Sequence, residues 1–173
     1  IRLSLVGSEM CIRDRHESYF VSRCSDLRPM RPVTEQFAQT RQGADILDAL
    51  AFFLLRMHDS GILHNDLNIS NILYGDDTGG QYRFQVIDTN RMSFNHTLSM
   101  RQRLDNLRRL SCPTPAYLYI LEQYARRRNA DTESVQLEGA IMRLVFDMRQ
   151  RLKQGIKSAL NRFRMNTLFR KVP

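Results

Sequence analysis

The most regular hydrophobic pattern in the chain is that of amphipathic helices. Between Asp45 and Ser60, apolar residues recur at spacings of three and four, which places them on one face of a helix: Ile46, Leu50, Phe53, Leu54 and Met57. Gly61 follows directly, and glycine commonly ends a helix because it adopts a left-handed backbone conformation without strain. The pattern therefore predicts a helix over 45–60 that ends at Gly61.

The second half of the chain shows helical periodicity in three further segments, which are Ser99–Leu110, Pro115–Arg128 and 134–163. In the longest of them, apolar residues keep to one face while arginine and lysine occupy the other. Gly155 lies inside this segment and is a candidate break between two helices. We therefore expect this half to be mainly helical.

Shorter segments with alternating or β-branched residues are typical of strands. Ser18–Ser22 is rich in β-forming residues, and we interpret the proline-containing stretch 25–32 that follows as a linker. Asn71–Tyr74 and Gln81–Ile87 flank a turn rich in glycine and aspartate, which predicts a β-hairpin. The expected fold class is α+β, mainly helical, with one small hairpin.

Length and composition indicate a single globular unit. A chain of 173 residues with 42% hydrophobic residues can bury one core of ordinary size. No apolar run approaches the roughly 18 residues that a membrane-spanning helix needs. The cysteines are odd in number and lack metal-ligand spacing, which argues against a disulfide framework or a zinc site: Cys11, Cys24 and Cys112.

The net charge of +8 is distributed unevenly. Residues 16–100 carry 7 Lys and Arg against 10 Asp and Glu, whereas residues 134–173 carry 9 against 2. This asymmetry favours a surface that attracts anionic lipid or phosphate-bearing polymers. The alternative is a solvated basic face that only keeps the protein soluble.

The strongest chemical signal is His64-Asn65-Asp66, followed by Asn71 and, after the hairpin, by Asp88. One carboxylate can orient a hydroxyl nucleophile, while an amide and a second carboxylate can hold a divalent cation beside a transferring phosphate. Because the hairpin brings Asn71 and Asp88 to its open end, we expect their side chains to converge. The preceding helix, the stop at glycine and the apolar flanks favour a functional role over simple turn and cap roles.

This arrangement resembles the C-terminal lobe of protein-kinase-like enzymes. Regulated protein kinases place an arginine before the catalytic Asp and Phe-Gly after the metal-binding Asp, but this chain has Asn65 and Thr89-Asn90 at those positions. With 105–110 opening the next helix and Leu168-Phe169-Arg170-Lys171 near the end, residues 17–173 are similar to the lipopolysaccharide core kinase family, the Kdo and heptose kinases of Gram-negative bacteria.

The resemblance implies a role for each residue of the motif. Asp66 would accept or orient the acceptor hydroxyl, and His64 would support the loop. Asn71 and Asp88 would hold Mg²⁺ that bridges the phosphates of ATP.

The resemblance also implies roles outside the motif. Asp105 would anchor the catalytic loop from the following helix. Arg91 would either bind a phosphate or brace the neighbouring Asp88, and the sequence leaves both interpretations open. The backbone of Tyr19–Met30 would be the last strand of the N-terminal lobe and the hinge that binds adenine.

Two parts of a working kinase are not found in the sequence: a Gly-rich loop, and a strand lysine paired with a helix glutamate. The first lysine is Lys153. Residues 1–15 lack sustained periodicity and resemble a translated sequencing-adapter read-through. We therefore expect 1–15 to be a non-native leader, 16–33 the last N-lobe strand and hinge, and 34–173 a kinase-like C-lobe, with the N-lobe largely missing and the fragment inactive alone.

The leading hypothesis is a truncated bacterial phosphotransferase that uses ATP and Mg²⁺ to phosphorylate a lipopolysaccharide core sugar. It would be cytoplasmic or peripheral at the inner membrane, with an anionic membrane surface as a second partner. The alternative is a pseudokinase or scaffold whose basic helices bind anionic partners. We expect no nucleic-acid partner, because no recognised nucleic-acid module is present. The sequence does not distinguish heptose, Kdo, another glycan or a protein as acceptor.

Overall fold

The part of the chain that the computed structural model describes contains five α-helices, seven short β-strands and three short 3₁₀ helices. The described residues are 10–13, 18–21, 25–77 and 80–169 for the backbone, and 25–77 and 80–158 for the side chains. The helices are α1 (Arg31–Gln36), α2 (Arg41–Asp59), α3 (Met100–Leu107), α4 (Thr114–Arg127) and α5 (Thr132–Phe169). The strands are β1 (Met10–Arg13), β2 (Ser18–Val21), β3 (Arg28–Pro29), β4 (Ile62–His64), β5 (Ile72–Asp76), β6 (Tyr82–Val86) and β7 (Met92–Phe94).

Helix α2 lies at the centre of the core and packs against α4 and the β5–β6 hairpin. Its fully buried side chains recur with helical spacing at Leu47, Leu50, Leu54 and Met57. They face α4, whose Tyr117 and Tyr124 are also fully buried. The helix begins earlier than its apolar pattern, because the Thr40 hydroxyl accepts a hydrogen bond from the backbone N–H of Gly43 and caps the first turn. The predicted helix is confirmed with this extension.

Gly61 ends α2 as predicted, with a φ of +74°. A Cβ at this position would lie 1.7 Å from the carbonyl oxygen of Asn95. The same close approach allows the Asn95 N–H to donate to the Gly61 carbonyl at 2.8 Å. Glycine is therefore required here both by the backbone angle and by the neighbouring chain.

The predicted hairpin is also confirmed. β5 and β6 pair antiparallel, with Ile72 opposite Val86, and β3 adds to the outer edge of β5. The strand predicted at Ser18–Ser22 is present as β2, while Ser22 itself lies outside the described residues. The observed combination of long helices and small sheets agrees with the expected α+β, mainly helical class.

The interpretation of 25–32 as a linker is wrong. Pro29 belongs to β3, where an edge strand tolerates a residue without an N–H, and Pro32 stands in the first turn of α1. Between them, Met30 is completely buried and its N–H donates to the Ile72 carbonyl at 3.1 Å. Both prolines therefore occupy positions that regular structure accepts.

Two pairings are not visible in the sequence pattern. β4 pairs with β7, so that His64 lies opposite Met92. β1, which lies where the sequence predicts no regular structure, pairs with the predicted strand β2. Strands of three or four residues are too short to show a periodicity of their own, and their backbone hydrogen bonds depend on a partner elsewhere in the chain.

Helix α5 runs without interruption through Gly155, so the candidate break there is wrong. A Cβ at Gly155 would meet no other atom within 4 Å, which means that no packing contact depends on this glycine. The loss of helix propensity, about 1 kcal/mol, is too small to divide a helix that continues on both sides. Among the described helices, none combines the length and the apolarity needed to cross a bilayer.

Candidate active site

The candidate catalytic loop, residues 65–71, joins β4 to β5. Its apolar members Leu67 and Ile69 are fully buried in the core. Asp66 and Asn71 are partly exposed. Alternation of buried and exposed side chains therefore fixes the loop to the core while its polar groups face the solvent.

The side chain of Asn71 is held by one end only. Its Nδ2 donates to the main-chain carbonyl of Asp66 at 3.0 Å, and its backbone N–H donates to the Asn68 carbonyl at 2.9 Å. The amide oxygen, Oδ1, makes no hydrogen bond with any residue that the structure describes. It is therefore a preoriented oxygen donor with no protein partner among those residues.

Asp88 stands beside Asn71 at the open end of the hairpin. β6 ends at Val86, and the N–H of the next residue, Ile87, donates to the Asn71 carbonyl at 2.9 Å, so Asp88 follows immediately after this contact. Its backbone is left-handed, with φ 58° and ψ 48°, a conformation that few residues other than glycine adopt. Its exposed carboxylate also has no partner among the described residues.

His64 connects the two halves of the site. The imidazole is fully buried, and its Nδ1 accepts a hydrogen bond from the backbone N–H of Asp66 at 3.2 Å. Nε2 therefore carries the proton and donates to the carbonyl of Ile87 at 3.0 Å. One ring thus holds both Asp66 and the residue that precedes Asp88.

The guanidinium of Arg91 lies 3.5 Å from the carboxylate of Asp66. The sequence leaves open whether Arg91 binds a phosphate or braces Asp88. The structure describes both side chains and shows no hydrogen bond or ion pair between Arg91 and Asp88. Both partners of the ion pair are well exposed, so their attraction is weak and is screened by water. Arg91 is therefore able to exchange this carboxylate for another anion at little cost.

Asp105, expected to anchor the loop, pairs instead with two arginines of its own helical turn, at 2.6 Å from Arg108 and 4.0 Å from Arg109. The neighbouring Asn106 supplies the anchor, because its Nδ2 donates to the His64 carbonyl at 2.8 Å. Asn106 is buried and lies on the same face of α3 as Leu107 and Arg103. Asp105 and Asn106 are adjacent polar residues, and the sequence carries no signal that separates them.

Asn106 in turn belongs to a buried hydrogen-bonded chain. Because its amide nitrogen faces His64, its Oδ1 accepts from Nε2 of His58 at 3.1 Å. Nδ1 of His58 then accepts from the Tyr124 hydroxyl at 2.9 Å, and the Tyr124 oxygen accepts from Arg103 at 3.1 Å. Burial is the main cause that lowers the pKa of His58 from 6.5 to about 4, so this histidine is neutral at pH 7.

The described part of the predicted hinge borders the same hairpin. In β3, Arg28 lies opposite Tyr74 and Pro29 opposite Leu73, while residues 22–24 of the predicted hinge are outside the described part. Just after it, the Arg31 guanidinium donates to the hydroxyl of Ser70 at 2.8 Å. This places a second cation beside the loop, and the sequence pattern gave no sign of it.

A divalent cation at this site would have to be bound by few protein groups. Within the described residues, no group of three or more His, Cys, Asp or Glu side chains could hold a metal ion. Of the two residues predicted to bind the cation, Asp88 offers an uncommitted carboxylate and Asn71 an uncommitted amide oxygen. Such a sparse set of hard oxygen donors fits Mg²⁺, which usually takes one or two protein ligands and completes its shell with phosphate and water oxygens.

Comparison with known proteins gives a family match and matches among solved structures. The sequence profile of the lipopolysaccharide kinase (Kdo/WaaP) family matches residues 21–128, which is more than half of the 173-residue chain. Among solved structures, the fold is similar to one described as WaaP in complex with acyl carrier protein, with a TM-score of 0.55 and 19% identity over 86% of this chain and 69% of that chain. At this identity the likeness shows a shared fold alone. No curated protein sequence matches the chain.

Proposed function

Because the chain belongs to the lipopolysaccharide kinase (Kdo/WaaP) family, we propose that it carries the phosphate-transfer site of an enzyme that phosphorylates a lipopolysaccharide core sugar. ATP is the proposed phosphate donor, and a Kdo or heptose hydroxyl is the proposed acceptor. The observation that carries the proposal is that two uncommitted oxygen donors, Asn71 Oδ1 and the Asp88 carboxylate, stand at one end of a hairpin. His64 fixes that end to Asp66.

Each side chain has a proposed role that follows from its contacts. Asp66 holds the acceptor hydroxyl and takes its proton, since its carboxylate is partly exposed and its backbone is fixed. Asn71 and Asp88 would hold Mg²⁺, which supplies charge neutralisation at phosphate oxygens when it is bound. Arg91 releases Asp66 and pairs with a phosphate group, which the weak exposed ion pair permits.

The test is transfer of labelled γ-phosphate from ATP to lipopolysaccharide core acceptors, using protein expressed from the genomic reading frame that contains this chain. Asp66→Asn removes a proton acceptor and should lower kcat by about 10²- to 10⁴-fold. Asp88→Asn should raise the Mg²⁺ concentration needed for half-maximal rate. The matched control is Asp76→Asn, which removes a carboxylate at the other end of the same hairpin, where its ion pair with Arg28 is exposed to water and contributes little to stability.

Full transfer by either site variant would contradict the proposal, and so would equal losses in all three variants. The acceptor is assigned by offering Kdo-terminated and heptose-terminated core saccharides in parallel. If only one of the two saccharides is phosphorylated, that saccharide identifies the acceptor sugar. If the wild-type enzyme phosphorylates neither sugar, the acceptor would be another glycan or a protein.

We also propose acyl carrier protein as a candidate partner, because the similar solved structure is described in complex with it. Co-purification of the two proteins after joint expression is the expected result. Finally, since a lipopolysaccharide acceptor is anchored in a lipid bilayer, we place the reaction at a membrane surface.

A further inference from the structure

Helix α5 carries two apolar faces, and only one of them is covered within the described part of the chain. One face docks on the body of the protein through Val135, Gly139 and Met142, where Gly139 allows the helix to approach Leu121 closely. The other face is exposed, with each side chain between 38% and 64% accessible. We call it the apolar stripe, and its members are Leu137, Ile141, Leu144, Val145, Met148, Leu152 and Ile156.

The apolar stripe is straight. Along Ile141, Val145, Met148, Leu152 and Ile156 the spacings are four, three, four and four, an eleven-residue repeat of about 3.67 residues per turn that nearly matches the 3.6 of the α-helix; Leu144 widens the stripe beside Val145. The stripe therefore runs parallel to the helix axis for about 30 Å, at 1.5 Å per residue. A left-handed coiled coil between two copies of the chain would need a repeat of about 3.5, whereas a right-handed one would take this eleven-residue repeat. The choice between a second copy and a flat surface therefore rests on the charge that accompanies the apolar stripe.

In its C-terminal half the apolar stripe is bordered by basic residues on both sides, whereas the exposed Glu138 lies about 60° from its centre near the start of the stripe. At about 100° per residue, Arg149 and Arg151 lie roughly 80° to either side of its centre, while Lys153 and Lys157 lie about 120° and 160° away. Residues 148–173 contain 8 Lys and Arg and no Asp or Glu. Two such segments side by side would repel each other, whereas an anionic surface would complement them.

We propose that α5 lies flat on an anionic phospholipid bilayer, with the apolar stripe in the interface and Arg149 and Arg151 on lipid phosphates. An amphipathic helix with an apolar face and basic borders is the form that binds in the plane of such a membrane. The inference rests on the proposed function only for the membrane location of the acceptor. The apolar stripe and the charges of α5 are present whatever reaction the protein catalyses.

The experiment is co-sedimentation of the full chain with vesicles of phosphatidylcholine alone and of phosphatidylcholine mixed with phosphatidylglycerol. Wild type should bind the mixed vesicles far better, and the binding should weaken as salt is raised. Leu144→Gln with Met148→Gln should lower partitioning by about tenfold or more, because two exposed apolar side chains no longer enter the interface. Circular dichroism verifies that α5 stays helical.

The charge variants form a matched pair. Arg149→Gln with Arg151→Gln should weaken binding to the anionic vesicles by about 25-fold, since each basic residue near the surface contributes about fivefold. Lys153→Gln with Lys157→Gln removes the same charge from the other side of the helix and should have a clearly smaller effect. Equal effects of the two pairs would overturn the flat orientation.

Three results would overturn the proposal: no binding to anionic vesicles, binding that the stripe variant retains, or a wild-type dimer in sedimentation that the stripe variant converts to monomer without vesicle binding. The last outcome would assign the apolar stripe to a second copy of the chain. Transfer to a delipidated core saccharide tests the proposed function independently. A wild-type protein that transfers phosphate to that saccharide but does not bind anionic vesicles would overturn only this inference. One that binds the vesicles but transfers no phosphate would overturn only the proposed function.

Discussion

Acidification is predicted to destabilise the fold through one buried histidine, His58. In the folded chain its two ring nitrogens are occupied by Asn106 and Tyr124, and burial lowers its pKa to about 4 from the ordinary 6.5. The charges of Arg103 and Arg128 act in the same direction, whereas the Asn106 hydrogen bond and Asp59 oppose it. Below pH 6.5 the unfolded chain therefore binds a proton that the folded chain does not bind.

This difference fixes the sign and size of the effect. Because the unfolded state binds more protons between pH 6.5 and pH 4, the free energy of unfolding must fall as the pH falls through that window. Integration gives a loss of about 2 kcal/mol between pH 7 and pH 5, and about 3 kcal/mol once the pH is below 4. His58 is fully buried, so solvent screening does not reduce this value. Several kcal/mol is a large share of the stability of a single domain.

The assay is urea unfolding at pH 7 and at pH 5 for wild type, His58→Gln and His96→Gln. A glutamine amide in place of the imidazole keeps a donor and an acceptor but cannot titrate, so His58→Gln should lose about 2 kcal/mol less than wild type on acidification. His96 is exposed and serves as the matched control, which should behave as wild type does. An identical pH 7 to pH 5 loss in wild type and His58→Gln would refute the reasoning. If that variant does not fold, an NMR titration of the wild-type His58 ring with a midpoint near pH 6.5 would refute it equally.

Three further predictions concern stability and are read from urea unfolding. Asn106→Ala leaves the buried His64 carbonyl unpaired and should cost about 1–3 kcal/mol for each group that loses its partner, while Asp105→Ala should cost less than about 1 kcal/mol. Similar losses in both would reject Asn106 as the anchor. Gly61→Ala should cost more than about 2 kcal/mol, because its Cβ would overlap the Asn95 carbonyl and its φ is positive. Gly155→Ala should instead stabilise the chain by about 0.5–1 kcal/mol, and a loss there would show that the glycine has a packing role.

Local pattern was sufficient for the elements whose residues carry their own signal. The apolar spacing of α2, the stop at Gly61 and the turn between β5 and β6 predict a helix and a hairpin in the right places. The hairpin register then explains why Asn71 and Asp88, distant in sequence, stand together. These parts of the candidate site were predictable because each depends on near neighbours along the chain.

Contacts between distant segments were not predictable from the same pattern. The pairing of β4 with β7 and the hydrogen bond from Asn106 to His64 join residues that are far apart in sequence. Nothing in the sequence around either segment identifies its partner. The sequence offers Asp105 and Asn106 as adjacent polar residues, and only the orientation of α3 decides which of them faces the loop. Likewise, periodicity predicts that α5 is amphipathic, but it does not tell whether the apolar face is covered.

The buried imidazole of His64 has a consequence for how the site can move. It spans the gap between the segment that bears Asp66 and the segment that bears Asp88, with one ring nitrogen on each. A displacement of either segment must therefore move the other segment as well, or break a hydrogen bond inside the protein, where no water is available to replace it. Asp66, which we propose holds the acceptor hydroxyl, and Asp88, which we propose binds the cation, therefore move together as one rigid unit. Any opening that admits substrate has to come from the residues around this unit.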